Sequence, residues 1–344
     1  MTKDPLDSRI MKESYNKIRK QSIWKACFHH DNECSNEIIK AHSIQNNKIL
    51  NKISRDGNVM QFELEIGNPF GSKMKKEGRK KVSTFTGFCG YHDAKLFSPI
   101  ENYDYQPGNK EQELIFAYRS LAKEYHAKQT CLKMTQNIIS LLDNGQFSEV
   151  NKIFERKKPS IEQINYLYEI MGIQGQGFAA ALFKYENYRV AFENNMKNKK
   201  YHNLVTNVIV FDEEYHLAAS SLINIVTDFS GKIINDLTRL DAYLAPLFIN
   251  VFPQDGKTYV LMSHYRRDKE RYKFLEQINK YSIAHKKIVL SNILVKYVEN
   301  IAFSPTRWEE LPLKRQEEIN RIFAETTNLK GETLVSFHDL NVFI

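Results

Sequence analysis

The chain has 344 residues, 42% hydrophobic and 12% aromatic, which is enough for two globular domains and too apolar for a disordered polymer. No apolar run approaches the roughly 18 residues of a membrane span, and no apolar stretch follows Met1, so we expect a cytoplasmic protein with neither membrane helix nor secretory leader. The net charge of +8 is lopsided: residues 1–100 hold 18 Lys+Arg against 11 Asp+Glu, and the remainder 31 against 30, so the excess points to a polyanion bound at the front.

In chain order, Ser8 to about Ser22 reads as a basic helix. Residues 26–100 have little periodicity, and Asn68–Val82 reads as a Gly- and Lys-rich loop. Pro107-Gly108-Asn109 is a turn, and helical periodicity runs from Glu113 to about Leu142, where Asp143-Asn144-Gly145 stops it. Helices follow at about 147–157 and 160–172. The run Gly172-Ile173-Gln174-Gly175-Gln176-Gly177 reads as a helix break before a last stretch to Asn198. Leu204–Phe211 is β-branched. Segments 221–227 and 232–234 flank one hairpin turn, and 248–252 and 258–263 flank another, implying four or five antiparallel strands. Helices return at about 268–282, 285–300 and 305–326. The expected fold class is α+β: a basic zinc module over residues 1–100, then a domain over 101–344 with helices (113–198, 268–326) packed on a mainly antiparallel sheet (204–263).

Four cysteines in a cytosolic chain of this length are no disulfide framework. Cys131 lies in a helical pattern and reads as a small buried hydrophobe. Cys27-x6-Cys34 and Cys89-x2-His92 supply the four N/S donors that a structural zinc takes, each pair from a short segment. His29 and His30 are alternatives to Cys34, which is preferred because thiolates bind zinc more strongly. Thr84–Phe88, then the ligand turn, then Tyr91–Leu96 reads as strand, turn and helix start, the shape of a treble-clef half-site.

These residues resemble the HNH, or ββα-metal, nuclease family over about residues 24–100. Cys27 and Cys34 match its first pair, and Cys89 and His92 its second. Glu37–His42 is similar to its first strand, with His42 at the general-base position. Asp93 falls where the family has a helix-borne metal ligand. The middle asparagine has no clear counterpart, Asn58 and Asn68 being the candidates, and SIQNNKILNKI after His42 reads as a short helix where the family has a loop. The resemblance implies a structural zinc, a catalytic Mg²⁺ or Mn²⁺ held by Asp93, and water activated by His42 against a phosphodiester of DNA or RNA. Lys75, Lys76, Arg79, Lys80 and Lys81 would contact phosphates without reading bases. The expected function is an HNH-like nuclease, an effector of the kind used in phage defence. Its rear domain would sense a ligand, form a homo-oligomer or hold a partner protein. The alternative is a non-catalytic zinc-finger regulator that binds nucleic acid. Arg119 and His126, seven residues apart, share one helix face, a spacing similar to that of HEPN ribonucleases; the ordinary reading is a solvated face.

Overall fold

The computed structural model describes residues 5–31, 33–35, 37–64, 72–154, 160–325 and 333–344. Helix α1 (Pro5–Ser22) leads through an irregular segment to strand β1 (Ile38–His42). A π-helical turn (Asn46–Leu50) runs into α2 (Asn51–Ile53), where the sequence reads as a short helix. Strands β2 (Asn58–Leu64), β3 (Ser72–Gly78) and β4 (Thr84–Cys89) follow, then α3 (Gly90–Glu101). The helices α4 (Lys110–Asp143), α5 (Phe147–Phe154) and α6 (Ile161–Lys197) precede β5 (Leu204–Phe211), β6 (Leu217–Ile223), β7 (Leu247–Gln254) and β8 (Lys257–Tyr265). The chain closes with α7 (Leu275–Ile278), α8 (Ile283–Tyr297), β9 (Ile301–Phe303), α9 (Pro305–Glu310) and α10 (Leu313–Glu325). Helix and antiparallel sheet are mixed, as an α+β chain requires.

Two sheets are present among the described residues: the pair β1–β4, and seven strands in the order β3-β2-β9-β6-β7-β8-β5. Strand β7 shows how the larger sheet is built. Its residues are buried on both faces. Leu247, Ile249 and Val251 enter one core with α8 and α10, whereas Phe248 and Phe252 enter another with α4 and α6. That is the two-residue alternation of a strand between two apolar layers. The second core also holds Phe28, Ala41, Phe85, Phe88 and Phe97. The ββα unit of β1, β4 and α3 therefore shares its apolar interior with α4 and the large sheet. Strands β2 and β3 join the large sheet through Met60 opposite Phe303, so the expected division near residues 100–110 divides neither sheet nor core.

Several expectations are corrected. The Lys-rich stretch is no loop over 72–78: β3 pairs residue for residue with β2, from Ser72 opposite Leu64 to Gly78 opposite Asn58. It is the edge of the sheet, where lysines are tolerated because their ammonium groups reach water and discourage further pairing. Residues 65–71, including Asn68, lie outside the described residues. The Gly172–Gly177 run does not break the helix, because α6 is continuous. Each glycine costs about 1 kcal/mol relative to alanine, which long-range packing on α4 outweighs; at Gly175 a side chain would begin only 3.6 Å from Thr135 Cγ2. Strand β6 begins at Leu217, and the expected 221–227/232–234 hairpin reduces to a bridge between Thr227 and Ile233. The helix expected at 268–282 is reduced to α7 and a 3₁₀ turn, and Pro312 splits the one expected at 305–326.

Candidate metal centre

The antiparallel β1–β4 pair sets Ile38 opposite Cys89 and His42 opposite Thr84, with a bulge between Ile39 and Ala41. Any larger residue at position 87 would push the Phe85 ring aside, since a Cβ there would stand 2.5 Å from it. The Gly87 carbonyl accepts from Phe28 N–H at 2.7 Å, which holds the Cys27 segment against β4. Cys89 ends the strand and caps α3, its sulfur accepting from His92 N–H at 3.4 Å. His92 lies one turn in and is fully buried.

Nδ1 of His92 stands 3.4 Å from Cys27 Sγ, 3.5 Å from Cys34 Sγ and 3.3 Å from Cys89 Sγ. One imidazole nitrogen has a single lone pair or a single proton, so three such contacts cannot all be hydrogen bonds. A tetrahedral zinc with Zn–S about 2.3 Å and Zn–N about 2.0–2.1 Å separates its sulfur and nitrogen ligands by roughly 3.5–3.6 Å. All four donor atoms lie within 4.8 Å of one another. The side chains are thus near enough to hold one metal ion, and three thiols with one imidazole suit zinc. Burial pushes the Cys27 thiol up to about 12. Burial would raise Cys89 too, but bonds from His92 N–H and from Ser35 bring it down to about 6.

The cage takes Cys34 and leaves out His29 and His30. His29 Nδ1 lies 3.1 Å from Tyr118 Oη, and its ring centroid 4.8 Å from that of His92. The His30 backbone N–H donates to Glu193. On the far side of the His92 ring, Asp31 Oδ1 stands 2.8 Å from Nε2, an ion-pair distance but outside hydrogen-bond geometry, so the carboxylate could back the imidazole electrostatically. The sequence reading missed Asp31, and also Glu193, which accepts from Tyr118 Oη at 3.1 Å. Its place between His30 and Cys34, in His29-His30-Asp31-Asn32-Glu33-Cys34, is the only sequence signal for Asp31.

His42, opposite Thr84, lies at the end of the β1–β4 pair away from Cys89, whereas Asp93 directly follows His92 in the first turn of α3. His42 ends β1, half-buried, and its Nε2 has no partner among the described residues. Burial lowers its pKa, and the Arg79 backbone partly offsets that. Asp93, in the first turn of α3, is shifted up by burial. The same two charges, Arg119 and Glu101, act on both groups. They form an ion pair, Arg119 Nη2 to Glu101 Oε1 at 2.5 Å, with the guanidinium 4.1 Å from the Phe97 ring centroid. Gln45 Nε2 donates to Glu101 Oε2 at 3.1 Å. Glu101 and Gln45 were not foreseen, since helix α3 and the turn after β1 bring them together only on folding. Arg119 and His126 go to different partners, for His126 Nε2 lies 3.0 Å from Thr86 Oγ1.

Of the basic residues, Lys75 is paired with Glu63 at 3.1 Å and Glu77 at 3.3 Å, and Arg79 Nη1 donates to Asn46 Oδ1 at 2.8 Å. Lys76, Lys80 and Lys81 are exposed. The turn from Arg79 to Ser83 runs beside the His42 end of β1, where Ser43 N–H donates to Ser83 at 3.0 Å. Asn58 donates to the Asp56 carbonyl and starts β2. No helix among the described residues is long and apolar enough to cross a membrane. No family model matches the chain, and neither curated proteins nor solved structures provide a match.

Proposed function

We propose that the chain is a metal-dependent nuclease of HNH type, its ββα unit held by zinc on Cys27, Cys34, Cys89 and His92. The observation that carries this reading is the cysteine–histidine cage itself, which ties the segment before β1 to the end of β4 and the first turn of α3, the elements that bear His42 and Asp93. Burial shifts the His42 imidazole toward its neutral form, the one that accepts a proton from an attacking water. Arg119 adds a fixed positive charge where a phosphate would gain negative charge. Exposed Lys76, Lys80 and Lys81 would draw the nucleic acid backbone toward that end. Asp93 is the residue that would hold Mg²⁺ or Mn²⁺, which when bound offsets charge on the leaving oxygen. In this reading the sheet and helices behind the unit restrain or trigger it, as suits a cytoplasmic effector against phage.

The second reading is a non-catalytic nucleic-acid-binding module. It is favoured by one feature, the Glu101 carboxylate already neutralising Arg119. Plasmid DNA and structured RNA incubated with Mn²⁺ separate the two. Cleavage by the wild type that is lost in His42→Ala and Asp93→Asn, with zinc content unchanged, supports the nuclease. Binding without cleavage by all three proteins supports the second reading.

A further inference from the structure

Helix α6 buries one face against α4, with Leu182, Tyr185, Arg189 and Phe192 recurring every three or four residues and Met171 eleven residues before Leu182. A second stripe runs along its other side. Ile173 is 61% exposed, Phe183 72% and Val190 46%. With Gln176, Ala180 and Asn187 they form a strict heptad series, 173-176-180-183-187-190, which is the periodicity of one helix packed on another. A step of two residues is about 200° around the helix, so this series faces away from the α4 seam containing Leu182 and Tyr185.

The stripe has the wrong chemistry for a solvated face. None of the six stripe positions carries a charge, and the Glu186 carboxylate, its side chain 39% exposed, is drawn to Arg189 at the stripe's edge. On α1, by contrast, Arg9, Lys12, Glu13, Lys17, Arg19 and Lys20 are all exposed. Large side chains left in water over about 26 Å of helix mark an association surface.

The order of residues identifies the occupant. Laid antiparallel on itself, with a and d positions facing each other, the series sets Ile173 against Val190 of a second copy, Gln176 against Asn187, and Ala180 against Phe183. Apolar meets apolar, amide meets amide, and a small residue makes room for a large ring. Laid parallel, Phe183 meets Phe183 and Ala180 meets Ala180, which leaves one layer overfilled and the next empty. A twofold pairing needs one surface that complements itself, and this one does. We propose that α6 pairs antiparallel, about a twofold axis, with α6 of a second copy of this chain.

Sedimentation equilibrium on the full chain tests this. The wild type is expected at twice the chain mass at micromolar concentration. Phe183→Glu should weaken association by roughly a hundredfold or more, since the ring is used twice per dimer. It should leave the circular dichroism spectrum unchanged, because position 183 touches solvent, while the melting temperature falls to that of the dissociated wild-type chain; Val190→Lys gives a second reading of the same face. The double variant Q176E/N187K sets opposite charges together in the antiparallel register and like charges together in the parallel one, so it should remain a dimer, whereas Q176K/N187K should dissociate. A wild type that stays monomeric, a dimer indifferent to Phe183→Glu and Val190→Lys, or dissociation of Q176E/N187K would each overturn the proposal.

Discussion

Removing the Asp31 carboxylate tests the cage from its outside. In Asp31→Ala the His92 ring keeps its Nδ1 among the three sulfurs but loses the carboxylate charge 2.8 Å from Nε2. Backing groups of this kind change metal affinity by about 10–100-fold. The Asp31 side chain is 34% exposed, so water screens its charge and replaces part of the contact. We therefore expect the lower end, about tenfold or about 1.4 kcal/mol. Competition with a chromophoric chelator measures this directly, on protein purified with zinc and compared with Cys89→Ser, Cys34→Ser and His29→Ala. Both cysteine variants should lose stoichiometric metal. His29→Ala should lose none, since its ring faces Tyr118 and lies outside the cage. Retention of zinc by Cys34→Ser together with its loss in His29→Ala would refute the ligand set. An Asp31→Ala affinity equal to wild type would refute the outer carboxylate's role.

Two further outcomes follow from the packing around the unit. Gly87→Ala puts a methyl 2.5 Å from the Phe85 ring and should cost about 1–3 kcal/mol in urea unfolding; Phe85→Leu in the same chain should recover part of it, and an undisturbed melting temperature for Gly87→Ala alone would contradict this packing. His126 is 8% exposed and burial lowers its pKa to about 4. Its neutral form is the one the fold holds, so its contribution is complete above the unfolded value near 6.5 and is lost as pH falls from there through about 4. The full effect is of the order of 3 kcal/mol, and His126→Gln should flatten the acid limb of stability against pH; equal limbs for both proteins would show that His126 is not buried neutral.

Local signals explain which elements could be read from the chain. Helix α4 was legible because its apolar period is long and Asp143-Asn144-Gly145 ends it where the helix stops. Strand β5 was legible because Leu204–Phe211 is dense in β-branched residues. Strands β2, β3 and β9 were missed for opposite reasons. The lysines of β3 look like a loop until Glu63 and Glu77 are set beside Lys75. Strand β9 is only three residues long, and it exists because β2 and β6 flank it. The six-residue run at Gly172–Gly177 carries an accurate statement of local weakness, which α4 overrides by packing along α6.

At the metal centre, the sequence by itself determined the donor types and the two half-sites, because close spacing forces Cys89 and His92 into one turn whatever the rest of the chain does. Donor chemistry favoured Cys34 but left His29 and His30 open as alternatives. The tertiary structure bears on that choice by turning the His29 ring to Tyr118 on α4, tying the His30 backbone to Glu193 on α6, and leaving Cys34 facing His92. The Arg119–Glu101 ion pair belongs wholly to that second level, since its members come from α4 and α3 and meet only when Phe88 and Phe97 are buried against α4. Spacing along a chain governs what a single turn can hold, whereas contact between distant segments depends on which apolar faces pack, and that is decided by the whole core at once.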